Sequence, residues 1–156
     1  TLFKQEWHSY QTPPLLTTSQ EDAFDEMELL GFPLSSPFNL LTDTPKTRLK
    51  ARDLDHHIGR SVNLMGYLVT TKNTSTSKGA RMYFGTFLDD EGDFIDTVHF
   101  PPVAKKYPFR GKGIYQITGR VIEEFDCVSV EVSKMEKCAI IEDPRYNDKI
   151  VKNDSR

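Results

Sequence analysis

In the run Val62-Asn63-Leu64-Met65-Gly66-Tyr67-Leu68-Val69-Thr70-Thr71, β-branched and apolar residues surround a central glycine. Branched and aromatic side chains fit a pleated surface, so the run predicts a strand, and the glycine inside it marks a bulge or a sharp coil. Asn73-Thr74-Ser75-Thr76-Ser77-Lys78-Gly79 is polar and rich in turn formers, and Arg81 to Leu88 resumes the strand texture. Together they predict a hairpin with a long loop. Asp89-Asp90-Glu91-Gly92 closes a tighter hairpin onto a third strand, Phe94 to Phe100. Pro101-Pro102 ends that strand, because proline offers no N–H to a ladder. Val103 to Phe109 reads as a helical or irregular connector. Gly113 to Ile122 is a fourth strand, and Val128, Val130 and Val132, alternating with Ser129 and Glu131, make a fifth.

Three strands, a connector and two strands is the order of the OB-fold, a partly open Greek-key barrel that binds oligonucleotides. An SH3-like barrel is the rival. The strand lengths, the early strand glycine and the long first hairpin favour the OB-fold. The expected class is therefore mainly β: a five-stranded OB-fold Greek-key barrel over residues 59–138, with a short N-terminal helical segment and flexible ends. Residues 1–58 read as an extended lead-in through Thr17, a short helix and a linker. Thr18 with Glu21, or Ser19 with Asp22, offers a capping box; Ala23, Met27 and Leu30 share a face with Phe24 beside them; Gly31 and Pro33 stop the helix. Pro33, Pro37 and Pro45 punctuate the linker, whose Phe38, Leu40 and Leu41 are expected to dock on a neighbouring surface. Residues 139–156 read as a polar C-terminal tail, its last dozen residues mobile.

The polar, proline-interrupted opening, which begins at Thr1, suggests a piece of a longer protein. A length of 156 residues with 37% hydrophobic content suits one core. No apolar run approaches the ~20 residues needed to cross a bilayer, so a protein without a membrane partner, placed in the cytoplasm, is expected. The two cysteines, Cys127 and Cys138, have no second pair at metal-ligand spacing and read as buried, inert thiols in a reducing compartment. The formal net charge of -3 is unevenly spread. Residues 1–60 carry six Lys/Arg against nine Asp/Glu, residues 61–122 eight against five, and residues 123–156 six against nine. A net positive middle lies between two acidic flanks, and local charge governs attraction to phosphates.

Five segments in order carry a resemblance to a known family. They are Val62 to Val69 with its central Gly66, Lys78-Gly79-Ala80-Arg81-Met82-Tyr83-Phe84, Phe87-Leu88-Asp89-Asp90-Glu91-Gly92, Val98-His99-Phe100-Pro101 and Ile117-Thr118-Gly119-Arg120-Val121. This array resembles the OB domain near the C-terminus of the bacterial replicative DNA polymerase III alpha subunit. Glu28-Leu29-Leu30-Gly31-Phe32-Pro33-Leu34-Ser35 is similar to the segment ahead of that domain. The likeness spans about Asp25 to Met135; the Ser/Thr-rich first hairpin, an extra residue in the third strand and Tyr107-Pro108-Phe109-Arg110-Gly111 depart from it. The resemblance implies a polymerase accessory domain that holds single-stranded template. The catalytic carboxylates of that family lie in an upstream domain with no counterpart here, so this chain alone is not expected to be an enzyme.

Holding a single strand without strong base preference takes cations along the backbone path and aromatic faces for the bases. Lys72, Lys78 and Arg81 bracket the first hairpin loop; Tyr67 and Tyr83 stand where OB proteins present stacking residues. His99, alternating with Val98 and Phe100, and Arg120, between Gly119 and Val121, are expected to point outward as further nucleic-acid contacts. Ordinary solvated charges and core packing are the competing readings of these same residues. Lys105 and Lys106 read as a solvated face, and Glu123, Glu124 and Asp126 make the last hairpin repel a backbone.

Other chemistries fail on spacing. Asp89 to Asp93 lacks the twelve-position calcium loop, Gly79 and Gly111 lack the Gly-Lys-Ser/Thr of a phosphate loop, and His56-His57 has no partner at zinc-ligand spacing. No cofactor, metal or small-molecule substrate is expected. The expected partner is single-stranded DNA; the alternatives are a barrel that docks other replisome subunits and an RNA-binding OB module.

Overall fold

The computed structural model describes residues 9–14, 16–43 and 49–147. Pro45, the first eight residues of the lead-in and the tail from 148 lie outside them.

Five strands close into a barrel in the order β1-β2-β3-β5-β4: β1 Ser61–Ser75, β2 Arg81–Leu88, β3 Phe94–His99, β4 Ile114–Glu124 and β5 Cys127–Lys137. Every contact is antiparallel except that of β3 with β5, where Thr97 faces Val130 and Val98 faces Glu131. That parallel contact and the helix α2, Pro101–Lys106, between β3 and β4 make this an OB-fold. β1 is long enough to pair first with β4, Ser61 through Tyr67, and then with β2, Tyr67 through Ser75. Gly66 lies just before the change of partner, where an added Cβ would sit 2.6 Å from the Cβ of Phe87. Only a residue without a side chain lets the strand coil that tightly over the core.

The first strand reaches further than the sequence suggested. Thr74 pairs with Met82 and Ser75 with Arg81, so most of the Ser/Thr run belongs to the ladder and the loop shrinks to 76–80. Threonine is a good strand former, and here a partner strand outweighs the turn chemistry of its neighbours. β5 likewise runs on to Lys137.

Val62, Leu64 and Leu68 from β1 meet Phe87, Ile95, Ile117, Val121 and Val130 inside the barrel, with Leu54 closing one end. A second, smaller cluster lies outside the wall, where Phe38 and Leu41 cover Met65, Tyr67 and Ile114. The expected docking of the linker is thus seen, and its target is the outer surface of β1 and β4. Helix α1, Ser19–Leu30, starts on the Thr18 and Glu21 capping box and ends at Gly31, but of its apolar residues only Ala23 is buried. Residues 139–147 are not free tail: Ile140 bridges Leu41, and Arg145 on the short helix α3, Pro144–Asn147, ion-pairs with Asp25 of α1. Apolar Ile140 and a bidentate-capable arginine give this stretch partners that its polar composition hid. The thiols also differ from expectation, with Cys127 exposed at the start of β5 and Cys138 half-buried.

Because the main core draws on residues 54–135 and only edge contacts from Leu49 and Ala51, a chain shortened to start at Ala51 is expected to unfold cooperatively in urea. Its midpoint should fall, since Met65 and Tyr67 lose their cover. A broad, non-cooperative transition would contradict this.

Candidate nucleic-acid interface

Residues directly opposite each other in paired strands share a face, and faces alternate along a strand. On β2 and β3, Gly85, Phe87, Ile95, Thr97 and His99 are buried, so their neighbours point away from the core. The outward rows are Lys72 beside Phe84 beside Val98, then Thr70 beside Thr86 beside Asp96, then Tyr67 beside Leu88 beside Phe94. Phe84 is 40% exposed, Phe94 65% and Phe100, just past the strand, 39%. A barrel wall facing solvent has no need of three phenylalanines. The acid amid them, Asp96, accepts a hydrogen bond from Thr86 Oγ1 at 2.8 Å.

Lys72, Lys78 and Arg81 are brought together at the first hairpin, all exposed and none in an ion pair among the described residues. The second turn behaves differently. Its Asp90 and Glu91 are paired with Lys50 and Arg52, and the Asp89 carboxylate accepts the backbone N–H groups of Ala51, Glu91 and Asp93. Burial pushes the Asp89 carboxyl up, but those N–H donors outweigh it and hold the group below its ordinary value. This turn is therefore a structural clasp on the segment before β1, with little charge left to offer a ligand.

Of the remaining candidates, His99, Tyr83 and Tyr67 are placed otherwise than expected, while Arg120 points outward as expected. His99 is 0% exposed, so the outward orientation read from Val98 and Phe100 is reversed. Its Nε2 lies 2.9 Å from Thr97 Oγ1, whose proton goes to Gly85 O, so Nε2 is the donor and Nδ1 holds the lone pair. Nδ1 has no partner among the described residues, the Phe109 ring lies 4.7 Å away, and burial lowers the imidazole pKa to about 4. Tyr83 pairs with His99 and turns the same way, its ring 6.2 Å from that of Phe109, so its face is committed to packing. Tyr67 does point outward, but Phe38 and Leu41 cover it. Arg120 is exposed on β4, donating to Gly59 O at 3.2 Å, on the wall made by β1, β4 and β5 and apart from the phenylalanine face.

Phe84, Phe94 and Phe100 are the residues that sequence reasoning passed over. The available signal was the parity of β2, where Gly85 and Phe87 alternate with Phe84, but β3 is apolar on both parities and masks it. On the far side of the face, the β4–β5 hairpin turns on Phe125 and Asp126, at φ 53° and 58°, and presents Phe125 97% exposed among Glu123, Glu124 and Asp126. No group of His, Cys, Asp and Glu among the described residues is arranged to hold a metal ion, and no described helix is long and apolar enough to cross a membrane.

No family model and no curated protein matches the chain. Among solved structures it is similar to the single-stranded DNA binding protein from Thermus aquaticus, at 16% identity and TM-score 0.46 over 53% of this chain and 42% of that one. It is similar to PriB from Ralstonia solanacearum, at 12% identity and TM-score 0.42 over 49% and 95%. The second OB-fold domain of replication protein A from Methanococcus maripaludis gives 19% identity and TM-score 0.38 over 55% and 88%.

Proposed function

We propose that this chain is a binding module for single-stranded DNA, without catalysis of its own, serving as an accessory domain of a replicative DNA polymerase in the cytoplasm. The observation that carries the binding part is the solvent-facing Phe84, Phe94 and Phe100 on the β2–β3 face, with Lys72 beside Phe84 on that face and Lys78 and Arg81 at the hairpin end, none of the three cations in an ion pair among the described residues. Bases stack on the rings and phosphates follow the cations, on the strand face that OB-folds use for oligonucleotides. The polymerase part rests on the five sequence segments from Val62 to Val121 and the Glu28 to Ser35 segment.

Fluorescence anisotropy with labelled oligothymidine at several salt concentrations tests the binding. Each neutralised phosphate adds about -0.7 to the log-log salt slope, so three or four contacts give about -2 to -3. A slope near zero would count against the reading. Replacing Lys78 and Arg81 together with Ala is expected to shallow the slope by up to about 1.4. Glu123→Gln with Glu124→Gln should leave binding unchanged or slightly tighter at low salt, where screening is least. The reverse pattern would put the strand on the wrong hairpin.

Phe84→Ala is expected to weaken binding by about 1–3 kcal/mol while leaving the urea midpoint nearly unchanged, because the ring is a surface group. An equal loss for Phe84→Ala and Phe84→Tyr would argue against stacking.

One observation favours a second reading, docking of a protein partner. Phe32 and Leu34 are exposed beside an open groove of about 420 Å3 that Val69 and Leu88 floor. Absence of any DNA binding at low salt would shift the assignment to that groove, and tighter binding of oligouridine than oligothymidine would shift it to RNA.

A further inference from the structure

Lys105 and Lys106 read from the sequence as a solvated face, yet Lys106 at the end of α2 converges with two cations from other elements. Lys106, Arg110 and Lys137 line one open cavity of about 530 Å3 with Tyr115, Met135 and Glu136. The acid on its rim, Glu136, is held by Lys134 at 3.1 Å. None of the three cations is in an ion pair among the described residues. Like charges gathered around a cavity repel one another, and an anion there relieves the repulsion.

The cavity is also held in shape by a buried group. Tyr115 is 1% exposed, and its hydroxyl accepts the Arg110 N–H at 2.8 Å and donates to Gly111 O at 2.6 Å. Lys137 Nζ donates to Arg110 O at 2.9 Å, and Lys106 Nζ stands 5.3 Å from the Tyr107 ring centroid. Arg110 is thus fixed through its backbone at both N–H and C=O, and its guanidinium is left for a ligand. A planar fork with five donors suits the oxygens of a phosphate.

The cavity lies at the same end of the barrel as the first hairpin. Tyr83, two residues into β2 from Arg81, packs against Phe109, the neighbour of Arg110. We infer that this cavity takes a phosphodiester of the bound strand, a second electrostatic foothold beyond the first hairpin; the inference rests on the single-strand reading above. The acidic β4–β5 hairpin turns the backbone away from the opposite side of the face, so the strand leaves over the α2–β4 loop.

The test uses the full chain and its Lys106→Gln/Arg110→Gln variant, which keeps every backbone bond just described. Inorganic phosphate, titrated by amide NMR, is expected to shift Arg110, Gly111 and Gly113 saturably in the parent and not in the variant. Oligothymidines of about 6 and about 16 nucleotides, within the site sizes of OB domains, supply the second readout. The variant should bind the short one as the parent does, and lose up to about 1.4 in salt slope on the long one. Non-saturating phosphate shifts, or shifts retained in the variant, overturn the cavity as an anion site whatever the oligonucleotides do. Equal losses on both lengths overturn its place as a second foothold. If the parent binds neither oligonucleotide but phosphate saturates at these amides, the single-strand reading fails and the anion site stands.

Discussion

Gly119→Ala is expected to destabilise the barrel by about 3 kcal/mol, a large share of the 5–15 kcal/mol that holds a domain of this size. The added Cβ would lie 2.3 Å from Glu131 O and 2.7 Å from Val130 Cγ1, closer than real Cβ atoms come. Neither neighbour can yield. Glu131 O belongs to the ladder at the point where the register of β4 and β5 shifts between Thr118 and Gly119, and Val130 is fully buried. The chain must either open the ladder or displace the core. Urea unfolding followed by circular dichroism measures the loss; a change under about 1 kcal/mol would mean that the strands slide more freely than their register implies.

The second large effect is a loss of stability in mild acid, and it comes from His99. The folded imidazole titrates at about 4 against an ordinary value of 6.5, because burial penalises its charged form. Between those values the unfolded chain binds the proton and the folded chain does not. The contribution is therefore complete above pH 6.5 and is lost as pH falls toward 4, about 3 kcal/mol at roughly 1.4 kcal/mol per unit. His99→Gln keeps an N–H for Thr97 and cannot ionise. Its stability should vary less between pH 7 and pH 4 than the parent's, by about that amount. Parallel pH profiles for the two proteins would show that the imidazole takes up its proton without cost.

The strand order was legible because turn chemistry and valine alternation are local. Asp89 to Gly92, Pro101-Pro102 and Val128 to Val132 each announce themselves within a few residues. Which side of a strand faces in is a different matter, decided by neighbours far away in the chain. In β3 both parities carry apolar residues, and the wrong one, Val98 with Phe100, is the more hydrophobic. Phe94 and Phe100 on that side are exposed, and on the binding proposed above a face written in phenylalanine is indistinguishable from a core in one dimension. The exposure of Lys72, Lys78 and Arg81 was legible because charge next to a flexible loop needs no knowledge of parity. The Arg110 cavity was not, since Lys106, Arg110 and Lys137 come from three separate elements and meet only once Tyr115 pins the loop.

β1 has two partners, and they are made at different times. Ser61 pairs with Arg120, 59 positions later, while Ser75 pairs with Arg81 almost at once. On a ribosome adding about 5–20 residues per second, the first half of β1 waits about 3–12 s for its neighbour. During that wait Val62, Leu64 and Met65 sit on an unpaired strand in a crowded cell. Closure comes later still, with β5, so the barrel gains its cooperativity only once Cys127–Lys137 has been made, and until then that early strand lacks its neighbour.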